Sequence, residues 1–386
     1  MNECNLMFKI FDFGGSFIKI YSSDTKEIER IETPASSIIK LEFLKNIIRE
    51  RIHSNVKYIG ISSQMHGIVL YDDFITWKKT SDIDVLSGDD TFTELTGLKK
   101  RNDLPIQNIN QYIIDNNIHD TTLYCKNITE ALLDISFHKT HDTMACGHGF
   151  YDIHNRRYIE KYIDYFKNKY GVNLVFDEVV HTYEIHGYIQ NIPVYSGIGD
   201  FQASLYGSNI SDKTLFINMA TGSQIACMHE KTGERPFFND TFLKCVTHIP
   251  SGRFLNIYAN FFKELNIDIW DHFAKLTMSD IEACNLNVTT DIFSNSGIGI
   301  SNIRFDNFTL KNVTASIIKH YIQQYIDIIV EKGYEYENIL LSGGIAKKIP
   351  VIKQLFESTF KKPITINSID DDSILGVLKL LNQKVN

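Results

Sequence analysis

The stretch Leu6-Met7-Phe8-Lys9-Ile10-Phe11-Asp12-Phe13-Gly14-Gly15-Ser16-Phe17-Ile18-Lys19-Ile20-Tyr21 decides how the rest of the chain is read. An apolar run ends at an acid, a glycine pair makes a tight turn, and a second apolar run resumes, which is the pattern of a β-hairpin. The pattern returns about 200 residues later: Lys213-Thr214-Leu215-Phe216-Ile217-Asn218 runs into Ala220-Thr221-Gly222-Ser223, and Gln224-Ile225-Ala226-Cys227-Met228 follows. Two such units suggest an internal duplication, one opening each half.

Working outward, the spacing of apolar residues predicts a helix from Ile38 to Ile52 and a strand Val56–Ser62 ending in the turn Ser63-Gln64-Met65-His66-Gly67. A strand Ile68–Tyr71 follows, then a polar, helical stretch from Asp82 to Asp120 and a helix Tyr158–Tyr170. Val194-Tyr195-Ser196-Gly197-Ile198-Gly199 leads into a helix beginning near Asp200. Toward the C-terminus a long helix covers Val313–Ile329, and the strand Asn338–Ser342 empties into Gly343-Gly344. Helices over Pro350–Phe360 and Asp372–Leu381 close the chain. Alternating strands and helices over 386 residues argue for an α/β protein of two domains, 1–193 and 194–386, with the boundary near Pro193.

Composition narrows the function. Apolar residues make up 43% and charged residues 22%, which excludes a disordered chain or a fibre. A net charge of −8 gives no general attraction for nucleic acid or anionic lipid, while leaving room for small anions held by backbone N–H groups. Six cysteines without a C-x-x-C pair point to a reduced, cytoplasmic setting. No apolar run is long enough for a membrane helix, so no membrane partner is expected. The histidines do not join cysteines at zinc spacing, and there is no Gly-x-Ser-x-Gly elbow and no Walker A loop.

Several residues stand where chemistry could be done. Asp12 beside Gly14-Gly15-Ser16 reads on local grounds first as a plain hairpin and second as a phosphate loop, with Lys19 to balance charge and the acid to hold Mg²⁺ through water. Thr221-Gly222-Ser223 reads as a turn or a second set of phosphate donors, and Gly343-Gly344 as a turn or a bare surface for a flat ring. Asp200, after Gly197-Ile198-Gly199, is a helix cap or a base for a substrate hydroxyl. Gln64-Met65-His66-Gly67 and Trp77 offer the planar polar groups and aromatic face that sugars require. Asp142 lies in a loop of small residues, Asp142-Thr143-Met144-Ala145-Cys146-Gly147.

In order along the chain, these pieces resemble the FGGY carbohydrate kinases of the actin-like ATPase superfamily, from Asp12 to about Leu381. Three stretches carry the resemblance: Ser62-Ser63-Gln64-Met65-His66-Gly67-Ile68-Val69, Gly199-Asp200-Phe201-Gln202-Ala203-Ser204-Leu205-Tyr206, and Asn218 through Gln224. Among the branches of the family they are most similar to the sedoheptulokinases. The resemblance implies two actin-like (ribonuclease H-like) domains with the active site in a cleft between them. It also implies a monomer or homodimer using ATP and Mg²⁺ to phosphorylate a ketose, foremost a heptulose such as sedoheptulose. Asp200 would be the catalytic base, and Asp12 and Asp200 would serve the metal. Asp12, Gly14, Gly15, Ser16, Lys19, Thr221, Gly222, Ser223, Gly343 and Gly344 would hold the nucleotide. Gln64, Met65, His66, Trp77, Asp142 and Gln202 would line the sugar.

The chain departs from the family at defined positions. The first loop reads Asp12-Phe13-Gly14-Gly15-Ser16 in place of Asp-x-Gly-Thr-Thr/Ser. Thr-Trp-x-Asp-x-Arg appears as Thr76-Trp77-Lys78-Lys79-Thr80-Ser81, and a Gly-Glu-Arg element is not evident near Gly297 to Arg304. A different acceptor (a five-carbon ketose or a polyol) and a catalytically inactive sugar- or nucleotide-binding regulator therefore stand as alternatives.

Overall fold

The structure, a computed structural model, describes residues 7–220, 222–290, 299–369 and 371–385. It falls into two compact units. Unit 1 comprises Met1–Asn209, Glu230–Leu243 and Asp371–Asn386; unit 2 comprises Ile210–His229 and Lys244–Asp370.

Unit 1 is built on a seven-stranded sheet in the order Ile28–Glu32, Phe17–Ser22, Phe8–Phe13, Tyr58–Ser63, Ile192–Gly199, Ile185–Ile189, Ile135–Ser136. The opening hairpin forms as its sequence predicts, with Asp12 opposite Lys19. Phe8–Phe13 then pairs in parallel with Tyr58–Ser63, which pairs in parallel with Ile192–Gly199. Phe11, Phe13, Ile18, Ile20, Ile59 and Ile61 are buried in one core cluster, as expected for central strands covered on both faces. A five-stranded sheet, in the order Asn173–Phe176, Thr122–Lys126, Ile68–Leu70, Asp73–Ile75, Ile38–Lys40, completes the unit.

The C-terminal helix Asp372–Val385 belongs to this unit and packs against the helix Asp200–Gly207. Glycines let the two backbones meet. A Cβ on Gly376 would stand 1.9 Å from the Ala203 carbonyl oxygen, and one on Gly207 would stand 1.9 Å from that of Asp372. Beneath them, a Cβ on Gly60 would collide with Val377 at 2.5 Å.

Unit 2 repeats the plan. Its sheet runs Phe242–Pro250, Gly222–His229, Thr214–Met219, Asn338–Ser342, Ile364–Ile366. Thr214–Met219 and Gly222–His229 form an antiparallel hairpin, and Asn338–Ser342 and Ile364–Ile366 add in parallel. A hairpin followed by two parallel strands thus occurs in both units. The 23-residue helix Leu310–Lys332 packs on the second sheet; Thr309 caps its start by accepting from the Asn312 N–H, and left-handed Gly333 ends it.

Two expectations need correction. The segment read as one helix from Ile38 to Ile52 begins as the strand Ile38–Lys40, and only Leu41–Arg49 is helical, because Ile38 and Ile39 pair with Ile75 and Phe74. The polar stretch 82–120 holds two short helices, Phe92–Thr96 and Pro105–Asp115; Gly97 in the left-handed region ends the first and Pro105 begins the second.

Candidate active site

Three parallel strands of unit 1 end side by side. Phe13, Ser63 and Gly199 share one register row, and Asp12, Ser62 and Ile198 the row before it. The residues that follow, Gln64 and Asp200, therefore leave the sheet beside the Asp12 turn. Functional side chains collect at this carboxyl end of open α/β sheets because the chain must turn there while backbone N–H groups remain unpaired.

Asp12 is 3% exposed and held from three sides. Ser62 donates to one oxygen at 2.8 Å and Ser373, from the C-terminal helix, to the other at 2.7 Å. Lys19 approaches that second oxygen at 3.3 Å and Asp371 at 3.5 Å, and Asp371 is also bound by Arg30. Burial opposes the charge on Lys19, but Asp12 and Asp371 outweigh it and raise its pKa above the ordinary lysine value. Gly14 turns the chain by donating its N–H to the Phe17 carbonyl at 3.1 Å, while Ser16 is exposed. A Cβ on Gly15 would stand 2.7 Å from the Trp77 indole nitrogen, so the loop and the tryptophan are in contact.

Asp200 opens its helix and accepts from the Phe201 N–H at 2.8 Å. Burial pushes its carboxyl up to about 7, the charge of Asp12 adds to the push, and the Phe201 N–H and Lys19 pull against both. A carboxylate of that basicity is matched to taking a proton at neutral pH. The mutual repulsion of Asp12 and Asp200 also fits a divalent cation, since Mg²⁺ takes one or two carboxylates and completes its shell with water and phosphate oxygens. No group of three or more His, Cys, Asp or Glu side chains placed to hold a metal ion occurs among the described residues.

The expected sugar residues surround the same strand ends. Gln64 is tied by its N–H to the Phe13 carbonyl at 3.1 Å, and a His66 ring nitrogen meets the Gly147 carbonyl at 3.0 Å. A Cβ on Gly147 would strike the Met65 carbonyl oxygen at 2.1 Å, which seats the Gln-Met-His turn against the 142–149 loop. Thr143 of that loop accepts from the Gly199 N–H at 3.2 Å, which ties the loop to the residue before Asp200. Asp142 is sealed at 3% exposure. Burial would raise its carboxyl, but His141 and His181 outweigh burial and hold it at about 2. Gln202 is buried, and its Oε1, like that of Gln64, has no hydrogen-bond partner. Buried acceptors without donors are costly, and hydroxyl groups of a bound ligand would satisfy them.

In unit 2 the second hairpin turn and the glycine pair lie together, because Asn218 and Ser342 are register partners on adjacent parallel strands. Gly343 needs to be glycine: its φ is +91°, and a Cβ would stand 2.3 Å from the Met219 carbonyl oxygen. At Gly222 and Gly344 a Cβ would meet nothing within 4 Å, so bare backbone borders open space at both. Ser223 is buried and its hydroxyl donates to the Asn218 carbonyl. Thr221 lies outside the described residues.

Some residues of the site leave no mark in the sequence. Ser373 reaches Asp12 from 361 positions away, and no local signal announces that. His181 carries no local signal: parallel pairing of Lys139–His141 with Glu178–Val180 brings it to Asp142, opposite the sequence neighbour His141. A Gly-Glu-Arg tripeptide does occur, at Gly233-Glu234-Arg235, where buried Arg235 donates to the Gly97 carbonyl at 2.7 Å. Of the region where that element was expected, Gly297 lies outside the described residues. The departures at 79 and 81 serve local structure: Lys79 pairs with Asp115 at 3.7 Å, and buried Ser81 donates to the Ile83 carbonyl at 2.9 Å. A Ser196–His186–Glu130 chain resembles a hydrolase triad in connectivity, but exposures of 0%, 0% and 1% seal it from any substrate.

The repeated hairpin-plus-parallel-strand plan is that of a two-domain actin-like, ribonuclease H-like ATPase fold. Solved sugar kinases share it. Xylulose kinase from Lactobacillus acidophilus superposes with a TM-score of 0.80 at 15% identity, over 98% of this chain and 89% of that one. Gluconate kinase from the same organism gives 0.78 at 16% identity, over 98% and 89%. Glycerol kinase from Plasmodium falciparum, solved with ADP, gives 0.74 at 15%, over 98% and 90%. No protein-family model matches the chain, and no curated protein matches its sequence. No helix among the described residues is long and apolar enough to cross a membrane.

Proposed function

We propose that this protein is an ATP-dependent carbohydrate kinase that phosphorylates a hydroxyl group of a ketose. The observation that carries this reading is Asp200: a carboxyl raised to about 7 at the end of a parallel strand, beside Asp12 and the Gly14-Gly15 turn. Asp200 accepts the proton of the acceptor hydroxyl as its oxygen attacks the γ-phosphorus; the bond from that phosphorus to the bridging oxygen breaks and ADP leaves. Lys19 and the N–H groups of the first turn oppose the charge of the phosphates, and the open backbone at Gly222 and Gly344 receives the nucleotide. Bound Mg²⁺ would neutralise phosphate charge, with Asp12 and Asp200 as the residues to hold it. The unsatisfied Gln64 and Gln202 oxygens support a polyhydroxylated acceptor.

The Gln-Met-His-Gly and Gly-Asp-Phe-Gln-Ala-Ser blocks favour a heptulose such as sedoheptulose as that acceptor. A pentulose or polyol is the second reading, favoured by the xylulose and glycerol kinases among the structural neighbours. A coupled assay of ADP release over sedoheptulose, xylulose, ribulose, gluconate and glycerol separates them. Nucleotide binding without turnover on every acceptor would instead identify an inactive regulator.

A further inference from the structure

We propose that a buried chain of three hydroxyl groups, on Tyr325, Tyr321 and Ser251, positions the turn between Met219 and Ser223 and thereby sets the affinity for the nucleotide; the inference rests on the kinase reading above, in which that turn meets the phosphates. All three side chains are sealed, Ser251 at 1% exposure and both tyrosines at 0%. Tyr321 and Tyr325 lie one turn apart on the helix Leu310–Lys332, and the Tyr325 hydroxyl donates to that of Tyr321 at 3.0 Å. The Tyr321 and Ser251 hydroxyl oxygens are 2.8 Å apart. A hydroxyl has one proton to give, so Tyr321, which accepts from Tyr325, donates to Ser251.

The far end of this chain of groups is where the turn is fastened. Ser251 directly precedes the helix Gly252–Glu264, and the Gly252 N–H donates to the Ala220 carbonyl, inside the turn, at 2.9 Å. Gln324 of the long helix holds the same corner by donating to the Pro250 carbonyl at 2.8 Å. The turn has little of its own to fix it, since a Cβ on Gly222 would meet nothing within 4 Å. The Ser223 hydroxyl lies near that of Tyr325, so the chain of groups borders the turn at both ends.

Ordinary packing does not ask for this arrangement. A serine directly before a helix commonly accepts from an N–H of the first turn, yet Ser251 makes no such bond and its hydroxyl is given to Tyr321 instead. Phenylalanine at 321 and 325 would fill the same core without burying polar atoms; Tyr321 already stacks on Phe254 with centroids 6.3 Å apart and 8° between the ring planes. Buried hydroxyls that satisfy one another gain little stability over apolar groups of the same shape, but they admit one geometry. That geometry holds Gly252 and, through its N–H, the turn.

The competing role is core filling, in which the hydroxyl groups serve only one another. Tyr321→Phe breaks the chain of groups at its middle and keeps the ring; Ser251→Ala breaks it beside the turn with a smaller change to the core. Tyr258→Phe is the control, because it removes from the same core a buried hydroxyl that has no hydrogen-bond partner. Calorimetric titration with ADP and Mg²⁺, thermal melting, and steady-state ADP release with sedoheptulose and xylulose are the test. The expected result is a Kd for ADP and a KM for MgATP raised roughly tenfold in Y321F and S251A, the worth of one good hydrogen bond. The acceptor KM should stay within about twofold of wild type, and Y258F should bind ADP as wild type does. Y321F and S251A proteins that bind ADP like wild type and differ only in melting temperature would overturn the proposal in favour of core filling, as would an equal loss of affinity in Y258F. A wild-type protein that binds ADP but phosphorylates no acceptor would overturn the kinase reading alone, because the ADP titration still reads the turn; one that binds no ADP would overturn both.

Discussion

Asp200 pays for its reactivity in stability. Its folded value near 7 lies well above the ~3.9 of an unfolded aspartate, so the folded state is the better proton binder. Stability from this group is complete below about pH 4, falls as the unfolded chain ionises first, and stays reduced above about pH 7. Asp200→Asn removes the charge in both states. It should raise the melting temperature at pH 8, by on the order of 2 kcal/mol of stability, and change little at pH 4. The same variant should lose roughly 10²–10⁴-fold in kcat through loss of the base. A D200N protein that melts lower at pH 8, or turns over at the wild-type rate, would contradict this account. For the wild type, kcat/KM for the acceptor should climb as pH rises through about 7, because only the ionised carboxylate accepts the proton.

At the scale of elements, the contact between the helices Asp200–Gly207 and Asp372–Val385 positions the site. Gly376→Val places branched atoms where Ala203 already has a carbonyl oxygen, and should destabilise by about 3 kcal/mol or more in urea unfolding. Ser373→Ala is the milder probe. It leaves the helix intact but removes one of two hydroxyl donors to Asp12, and should cost about 1–3 kcal/mol while raising the Mg²⁺ concentration needed for half-maximal turnover. Elements with local causes were readable from the sequence alone. Both hairpins announce themselves by glycine turns, and the helix Leu310–Lys332 by the apolar period over Val313–Ile329, which falls inside it. Pairing partners were not readable. Ile38 and Ile39 fit a helical period as well as a strand, and only the Asp73–Ile75 strand decides between them. For the same reason Asp12, Gln64 and Asp200 could be named from their turns, whereas His181 needed the strand register and Ser373 the packing of the last helix.

Across the whole molecule, the path of the chain matters more than its length. Unit 1 is assembled from three separate segments, the last being Asp371–Asn386. A chain ending at residue 370 should therefore lose the fold of unit 1, because Gly60, Ala203 and Gly207 would have no helix to meet. Circular dichroism and fluorescence of that truncated protein would test it; a native-like spectrum with cooperative melting would show the helix to be dispensable. Chelating Mg²⁺ should act differently, abolishing turnover while leaving the melting curve unchanged, since no described cluster of side chains encloses a metal by itself.

The Ser373–Asp12 hydrogen bond spans 361 positions of the chain. At ribosomal speeds of about 5–20 residues per second, Asp12 would wait roughly 20–70 s for its partner to be synthesised. Throughout that interval the nascent polypeptide holds Asp12 and its glycine turn but not the Ser373 hydroxyl that binds the second carboxylate oxygen. Under the kinase reading, a product stopped before residue 373 would be inert rather than an unregulated consumer of ATP.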